Sequence, residues 1–219
     1  YDAYFTQIPV NVISTHKDRV EEVMESLPGQ LIIKEYTPGK ASISTLESHI
    51  QKCIDLDFKP DLIIIDYVDL LRSKKLNRER KEEIDDIYVG TKGLARGLNI
   101  PVWSVSQVNR AGAKDDIIEG DKAAGSYDKI MITDFAASLS RKRQDKVNGT
   151  GRWHIMKNRY GMDGLTYGAK IDTSMGLFET ISDDELESIT PADTKQSYGQ
   201  VSDSEKEQLR QHHNFFLNN

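Results

Sequence analysis

The sequence predicts an α/β fold with a mostly parallel central sheet and a carboxyl part rich in β-hairpins. Three observations predict it. Pro60 to Leu71 reads PDLIIIDYVDLL, where Leu62 to Ile65 is a run of four apolar residues, three of them β-branched, closed by the carboxylate of Asp66. Such a run is too short for an independent helix and too apolar for a half-exposed strand, so it reads as a buried central strand of a parallel sheet. Strand and helix patterns alternate on both sides of it, which is the order of a parallel crossover unit. From Lys129 onward the periodicity becomes that of strands, with Asn148-Gly149 between two of them as a hairpin signal.

Taken from the amino end, Tyr1 to Pro9 has no initiator methionine and runs at once into apolar Val10 to Ile13, as though the chain began inside a domain of a longer protein. Thr15 with Asp18 three residues on has the form of a capping box. Val20, Val23, Met24 and Leu27 then recur at helical spacing until Pro28 and Gly29 stop the helix. Leu31 to Tyr36 reads as a strand and Pro38-Gly39 as a turn. Ser44 with Glu47 opens the next helix, whose Leu46, Ile50, Cys53 and Ile54 form an apolar stripe before Lys59 and Pro60 end it. After the central strand, RSKKLNRERKEE is too polar to pack. Ile84, Ile87, Tyr88, Thr91, Leu94 and Leu98 trace a long amphipathic helix that ends near Gly97 to Asn99.

Pro101 to Ser106 is the next buried strand, with Gln107, Asn109 and Arg110 at its end. Ala111 to Tyr127 is rich in Gly, Ala and Asp without periodicity, and a long loop of that kind in a compact domain is usually functional. Ala136 to Arg141 and Trp153 to Lys157 flank the Asn148-Gly149 turn, and Tyr167 to Ile171 and Gly176 to Glu179 are further short strands. Residues 1–181 are thus expected to form one core. Residues 182–219 are Ser, Asp, Glu and Gln rich and are expected to form a flexible acidic tail, with a short helix over Ser204 to His213.

Composition excludes several classes. At 37% apolar and 29% charged the chain is ordinary for a globular protein, and no apolar stretch approaches the ~20 residues of a spanning helix. No membrane partner is expected, and a cytoplasmic location fits. The single cysteine, Cys53, rules out a disulfide frame and gives no metal-ligand spacing. The net charge of −6 is unevenly spread, because Arg72 to Lys81 carries six basic side chains in ten residues. One face can therefore meet phosphate while the whole stays acidic.

Asp66 is the first candidate site residue. At the carboxyl end of a parallel strand it faces the crevice where open α/β sheets bind ligands, and there it can order a water on the Mg²⁺ of a nucleotide. An acidic turn after a strand is the plainer alternative. The basic run can likewise be a solvated loop, Gln107 a strand end satisfied by backbone, and Lys157 with Arg159 a solvated strand terminus.

Four strings nevertheless stand in one order: IIIDYVDLL at 63 to 71, SVSQVNR at 104 to 110, AAGSYDK at 123 to 129 and MKNRYG at 156 to 161. Together they resemble the RecA-like motor domain of replicative DNA helicases of the DnaB type, most closely the phage helicases of that group, over about residues 30 to 180. The resemblance implies a P-loop NTPase core that takes ATP and Mg²⁺. Asp66 then matches the Walker B acid, and Gln107 the glutamine that senses the γ-phosphate. Lys157 and Arg159 match the K-x-R pair that reaches the ATP site of the adjacent subunit, and residues i and i+2 on a strand share a face, so both cations can address one triphosphate. Two loops resemble those that grip DNA in the ring's channel. One holds Arg72, Lys74, Lys75, Arg78 and Arg80, and the other Lys122, Gly125 and Ser126, with few aromatics, as backbone tracking requires.

The resemblance further implies a hexameric ring of this chain on single-stranded DNA, 5′ to 3′ movement, and a primase or helicase loader as partner. Asp69 stands where many relatives carry Gln or another uncharged residue. No G-x-x-x-x-G-K-[ST] phosphate loop occurs in the 219 residues. The expectation is therefore a carboxy-terminal part of a helicase, inactive alone. A RadA-type recombination ATPase, whose family carries a string like KNRYG, is the rival enzyme. A catalytically dead RecA-like module that binds nucleic acid is the rival from another class.

Overall fold

The computed structural model describes residues 1–73, 80–107, 127–182 and 185–186. The chain divides into two compact units, one of residues 28–136 with 157–160, the other of residues 1–27, 137–156 and 161–219.

In the first unit, α3 (Ile43–Asp55) leads to β1 (Ile63–Ile65), α4 (Arg80–Leu98), β2 (Val102–Ser104) and α5 (Tyr127–Ile132). β1 and β2 pair in parallel with Ile63 opposite Val102, Ile64 opposite Trp103 and Ile65 opposite Ser104. The helix–strand order and this parallel ladder are those of the expected α/β class. α4 follows its predicted stripe: Ile87 is 2% and Leu94 3% exposed. Asn99, at φ 54°, turns the chain out of it. Ala41, Val68, Leu71 and Ile87 make the core, with Tyr36, Ile43, Leu46, Ile65 and Tyr88 packed around them. Gly90 allows α4 to approach α3, because a Cβ there would stand 3.1 Å from Ile43 Cγ1.

Several expectations need correction. Among the described residues, 31–36 join no strand ladder, and Leu31, Ile32 and Ile33 are exposed. β-propensity alone does not make a strand; a hydrogen-bonding neighbour must be present. The central strand is not buried on both faces: Ile63 and Ile65 are half-buried, while Ile64 is 70% exposed. Among the described residues its one ladder partner is β2, so the uniform apolar run alternates in exposure as a half-covered strand does. α3 begins two residues earlier than predicted. Its capping box joins Ser42 to Thr45, with Thr45 N donating to Ser42 Oγ, and not Ser44 to Glu47.

In the second unit, α1 (Asp2–Thr6) packs against α2 (Lys17–Ser26). His16, not Thr15, precedes α2, and Thr15 Oγ1 donates instead to Val12 O at 2.7 Å, so the expected capping box does not form. A four-stranded sheet runs in the order β3 (Phe135–Ser140), β4 (Thr150–Asn158), β5 (Thr166–Asp172), β6 (Leu177–Ile181). β4 and β6 are antiparallel to β5, with Trp153 opposite Tyr167 and Ile171 opposite Phe178. Asn148-Gly149 is not a hairpin turn. A short helix, α6 (Arg143–Asn148), fills the connection and Gly149, at φ 67°, ends it. The same dipeptide serves either purpose, because a helix end and a tight hairpin both need a left-handed residue. Asp145 decides for the helix: Lys142 N donates to its Oδ2 at 2.7 Å, while Thr150 Oγ1 and Arg152 Nη1 donate at 3.2 and 2.7 Å. Leu186 is buried over Gly168, where a Cβ would come within 2.9 Å of it. The expected helix over residues 204–213 lies outside the described residues.

Candidate functional site

Parallel pairing puts the carboxyl ends of β1 and β2 side by side, and the two strand-end candidates leave from there. Asp66 follows Ile65, whose register partner is Ser104, and Gln107 stands three residues beyond Ser104. Both side chains are exposed. Ser104 Oγ ties the two exits together: it donates to Ile65 O at 2.7 Å and accepts from Val68 N at 3.0 Å. A single exposed carboxylate at the end of β1 suits a Mg²⁺ carried by phosphates and several waters better than a cage built only of protein ligands. Among the described residues no group of three or more His, Cys, Asp or Glu could hold a metal.

Just past Asp66, a turn of 3₁₀ helix (Val68–Leu70) presents Asp69 to a network that runs from buried Lys129 to exposed Ser106. Lys129 Nζ donates to Asp69 Oδ1 at 2.8 Å, with the two side chains only 4% and 14% exposed. Ser106 Oγ donates to Asp69 Oδ2 at 2.7 Å, and Tyr88 Oη to Asp69 Oδ1 at 3.3 Å. The ammonium also lies 5.3 Å from the Tyr88 ring centre. Burial pushes the Tyr88 hydroxyl up to about 12, so it stays a donor at any physiological pH.

The late cations sit at a second cluster of the same unit. Lys157, near the end of β4, donates to the carbonyls of Ile130 and Met131 at 3.0 and 2.7 Å, closing the carboxyl end of α5. Its own burial, then the charges of Arg159 and Lys92, hold its ammonium below the usual lysine range. Arg159 falls one residue past the strand, in a turn, so the pair does not share a strand face in the simple alternating sense. Its Nε stands 3.2 Å from Asp134 Oδ1 and its backbone N donates to Asp134 O at 2.9 Å. Lys92 Nζ donates to the same carboxylate at 2.8 Å and to Ile132 O at 2.7 Å. Lys92's hydrogen bond, above all, lowers the Asp134 pKa, aided by the charges of Arg159 and Arg96.

Of the basic loop, Arg72 is exposed, with its backbone N on Ala41 O at 2.8 Å, and Arg80 opens α4. Lys74, Lys75, Arg78, Lys122, Gly125 and Ser126 lie outside the described residues. Sequence reasoning passed over Lys129, Ser106, Lys92 and Asp134. A charge inside the apolar stretch IMITDFAAS was the available signal for Asp134; Ser106 and Lys129 stand inside the strings SVSQVNR and AAGSYDK, where nothing local gave them a role, and nothing marked Lys92. A separate polar cleft of about 710 Å³, lined by Lys34, Tyr36, Ser48, His49 and Lys52 among others, contains none of the predicted residues.

Comparison with known proteins gives a consistent picture. The family model of the DnaB-like helicase C-terminal domain matches residues 7–167. The replicative DNA helicase DnaB of Rickettsia prowazekii is 42% identical over 50 residues, 23% of this chain and 10% of that protein. A probable replicative DNA helicase of Trieres chinensis is 28% identical over 93 residues, 42% of this chain and 20% of the relative. The chain thus matches a fifth or less of the length of these relatives. Among solved structures, an ATPase domain superposes with a TM-score of 0.68 at 18% identity, covering 83% of this chain and 68% of that one. A DnaB-like replicative helicase, described together with its interactions with primase, gives 0.68 at 20% identity, covering 81% and 45%. At such identities the likeness is one of fold, and that fold is the RecA-like ATPase core.

Proposed function

Since this chain belongs to the family of DnaB-like helicase C-terminal domains, we propose that the protein carrying it couples ATP hydrolysis to 5′ to 3′ movement on single-stranded DNA and to unwinding. It does so as a hexameric ring whose ATP sites lie between subunits. The observation that carries the reading is the exit of Asp66 and Gln107 from adjacent, registered parallel strands, where such sheets bind ligands. Asp66 accepts hydrogen bonds from waters on the Mg²⁺ that accompanies ATP. The Gln107 amide donates to a phosphate oxygen and accepts from water. Lys157 and Arg159 serve the neighbouring subunit's triphosphate. Arg159 meets Asp134 through Nε with its side chain 44% exposed, and its planar fork is the shape that binds phosphate oxygens in pairs.

Arg72, Lys74, Lys75, Arg78 and Arg80 on one loop and Lys122, Gly125 and Ser126 on the other grip the DNA backbone, and a primase or loader binds elsewhere on the ring. The 219 residues alone, without a phosphate loop, do not hydrolyse ATP; DNA-stimulated phosphate release from them would overturn that. In the intact protein, Arg159→Ala is expected to abolish hydrolysis while nucleotide binding is nearly unchanged. Equal loss of both would remove the trans assignment.

A further inference from the structure

We propose that Asp69, clamped by Lys129, is a positioning residue that sets the γ-phosphate-sensing arm at Gln107 through the hydroxyl of Ser106. This rests on the reading of Asp66 and Gln107 as nucleotide-side groups. Asp69 lies three residues beyond Asp66, and Ser106 is joined to Gln107 by a peptide bond. One carboxylate therefore spans the two exits: its Oδ2 takes Ser106 Oγ at 2.7 Å while its Oδ1 takes Lys129 Nζ at 2.8 Å.

The chemistry argues for geometry over stability. A buried ion pair gains little net stability once both ions have lost their water, but it defines distances closely when its remaining lone pairs are filled. Here they are: Tyr88 Oη also donates to Oδ1, and Lys129 Nζ reaches Ser106 Oγ at 3.4 Å. The lysine is held in turn, because the carbonyls that follow it in α5, of Ile130 and Met131, receive Lys157, and that of Ile132 receives Lys92. Gln107 is exposed and joined directly to Ser106, so the tether on Ser106 bears on where the Gln107 backbone stands.

The test is a double-mutant cycle in the intact protein, read as kcat and KM for ATP with single-stranded DNA present. Ser106→Ala is expected to lower kcat roughly 10-fold, the scale of a small misplacement, with KM unchanged. In a Gln107→Ala background the same change is expected to cost nothing further. Ser106→Thr, which keeps a hydroxyl to donate, is expected to stay near wild type. Losses that multiply across the cycle, a wild-type kcat for Ser106→Ala, or a Ser106→Thr as slow as Ser106→Ala would each overturn the inference. If Gln107→Ala alone leaves kcat intact, the sensor reading falls and the inference with it, an outcome distinct from the others. Lys129→Met is expected to repeat the Ser106→Ala pattern in the protein that remains folded, and a wild-type kcat there would overturn the clamp.

Discussion

Replacing Asp134 with alanine separates what holds the protein together from what aims Arg159. The carboxylate stands 3.2 Å from Arg159 Nε, with both side chains 44% exposed, and 2.8 Å from Lys92 Nζ, 20% exposed. Ion pairs this open to water are worth ~0–1 kcal/mol each. The backbone bond from Arg159 N to Asp134 O and the Lys92 bond to Ile132 O both survive the substitution. The expected loss of stability is about 1 kcal/mol, or a melting temperature lower by about 2–4 °C for a chain of this size. The rate should suffer more. A released arginine regains up to about 2 kcal/mol of rotamer entropy that must be given up again in the transition state. At 1.4 kcal/mol per decade, that is a fall in kcat of roughly 10- to 30-fold. Steady-state ATP hydrolysis by the intact protein, alongside thermal unfolding and nucleotide binding, reads all three quantities. A melting temperature lower by more than about 10 °C with an unchanged rate per folded molecule would show that Asp134 is a structural tie and does not aim Arg159.

The remaining predictions concern stability, pH and DNA. Asp145→Ala should cost about 2–3 kcal/mol by urea unfolding, because it removes the 2.7 Å ion pair to the largely buried Arg152 and uncaps α6; a loss below about 1 kcal/mol would contradict that account. Because the Asp134 pKa is lowered by folding, its contribution is present above the ordinary carboxylate range and disappears as pH falls through the lowered value. Asp134→Asn should therefore lose less stability on acidification than wild type between those limits, and parallel curves would argue against it. Neutralising Lys74, Lys75 and Arg78 should make the salt dependence of single-strand binding shallower by ~0.7 for each phosphate that is no longer neutralised, and an unchanged slope would take that loop off the DNA path.

What could be read from residues alone follows from the range of each interaction. The stripe on α4 was legible because a helix repeats its buried face within a few residues, and Ile87 and Leu94 are buried as that repeat requires. The position of Asp66 was legible because strand ends are marked by the change from apolar to polar; Gln107 was placed at the end of a buried strand over Pro101 to Ser106, but β2 is half-covered and stops at Ser104, three residues short of it. Exposure of β1 was not, since an unbroken apolar run carries no sign of which face is covered; Ile64 shows it only in three dimensions. The extended reading of residues 31–36 failed for a similar reason, as pairing is a property of two segments. Asp69 and Lys129 are 60 residues apart, and no periodicity links them. The K-x-R spacing was plain, but Arg159's position in a turn and its tether to Asp134 depended on where β4 stops.

The chain holds two tryptophans, and they stand in unlike places. Trp103 is 54% exposed opposite Ile64, itself 70% exposed, whereas half-buried Trp153 packs edge-on against Phe178 at 5.3 Å. Intrinsic fluorescence can therefore be assigned by site. With Trp153 changed to Phe, the emission of Trp103 becomes an optical gauge of the β1 and β2 flank: red-shifted and open to iodide quenching while bare, blue-shifted and shielded once any apolar surface settles on it.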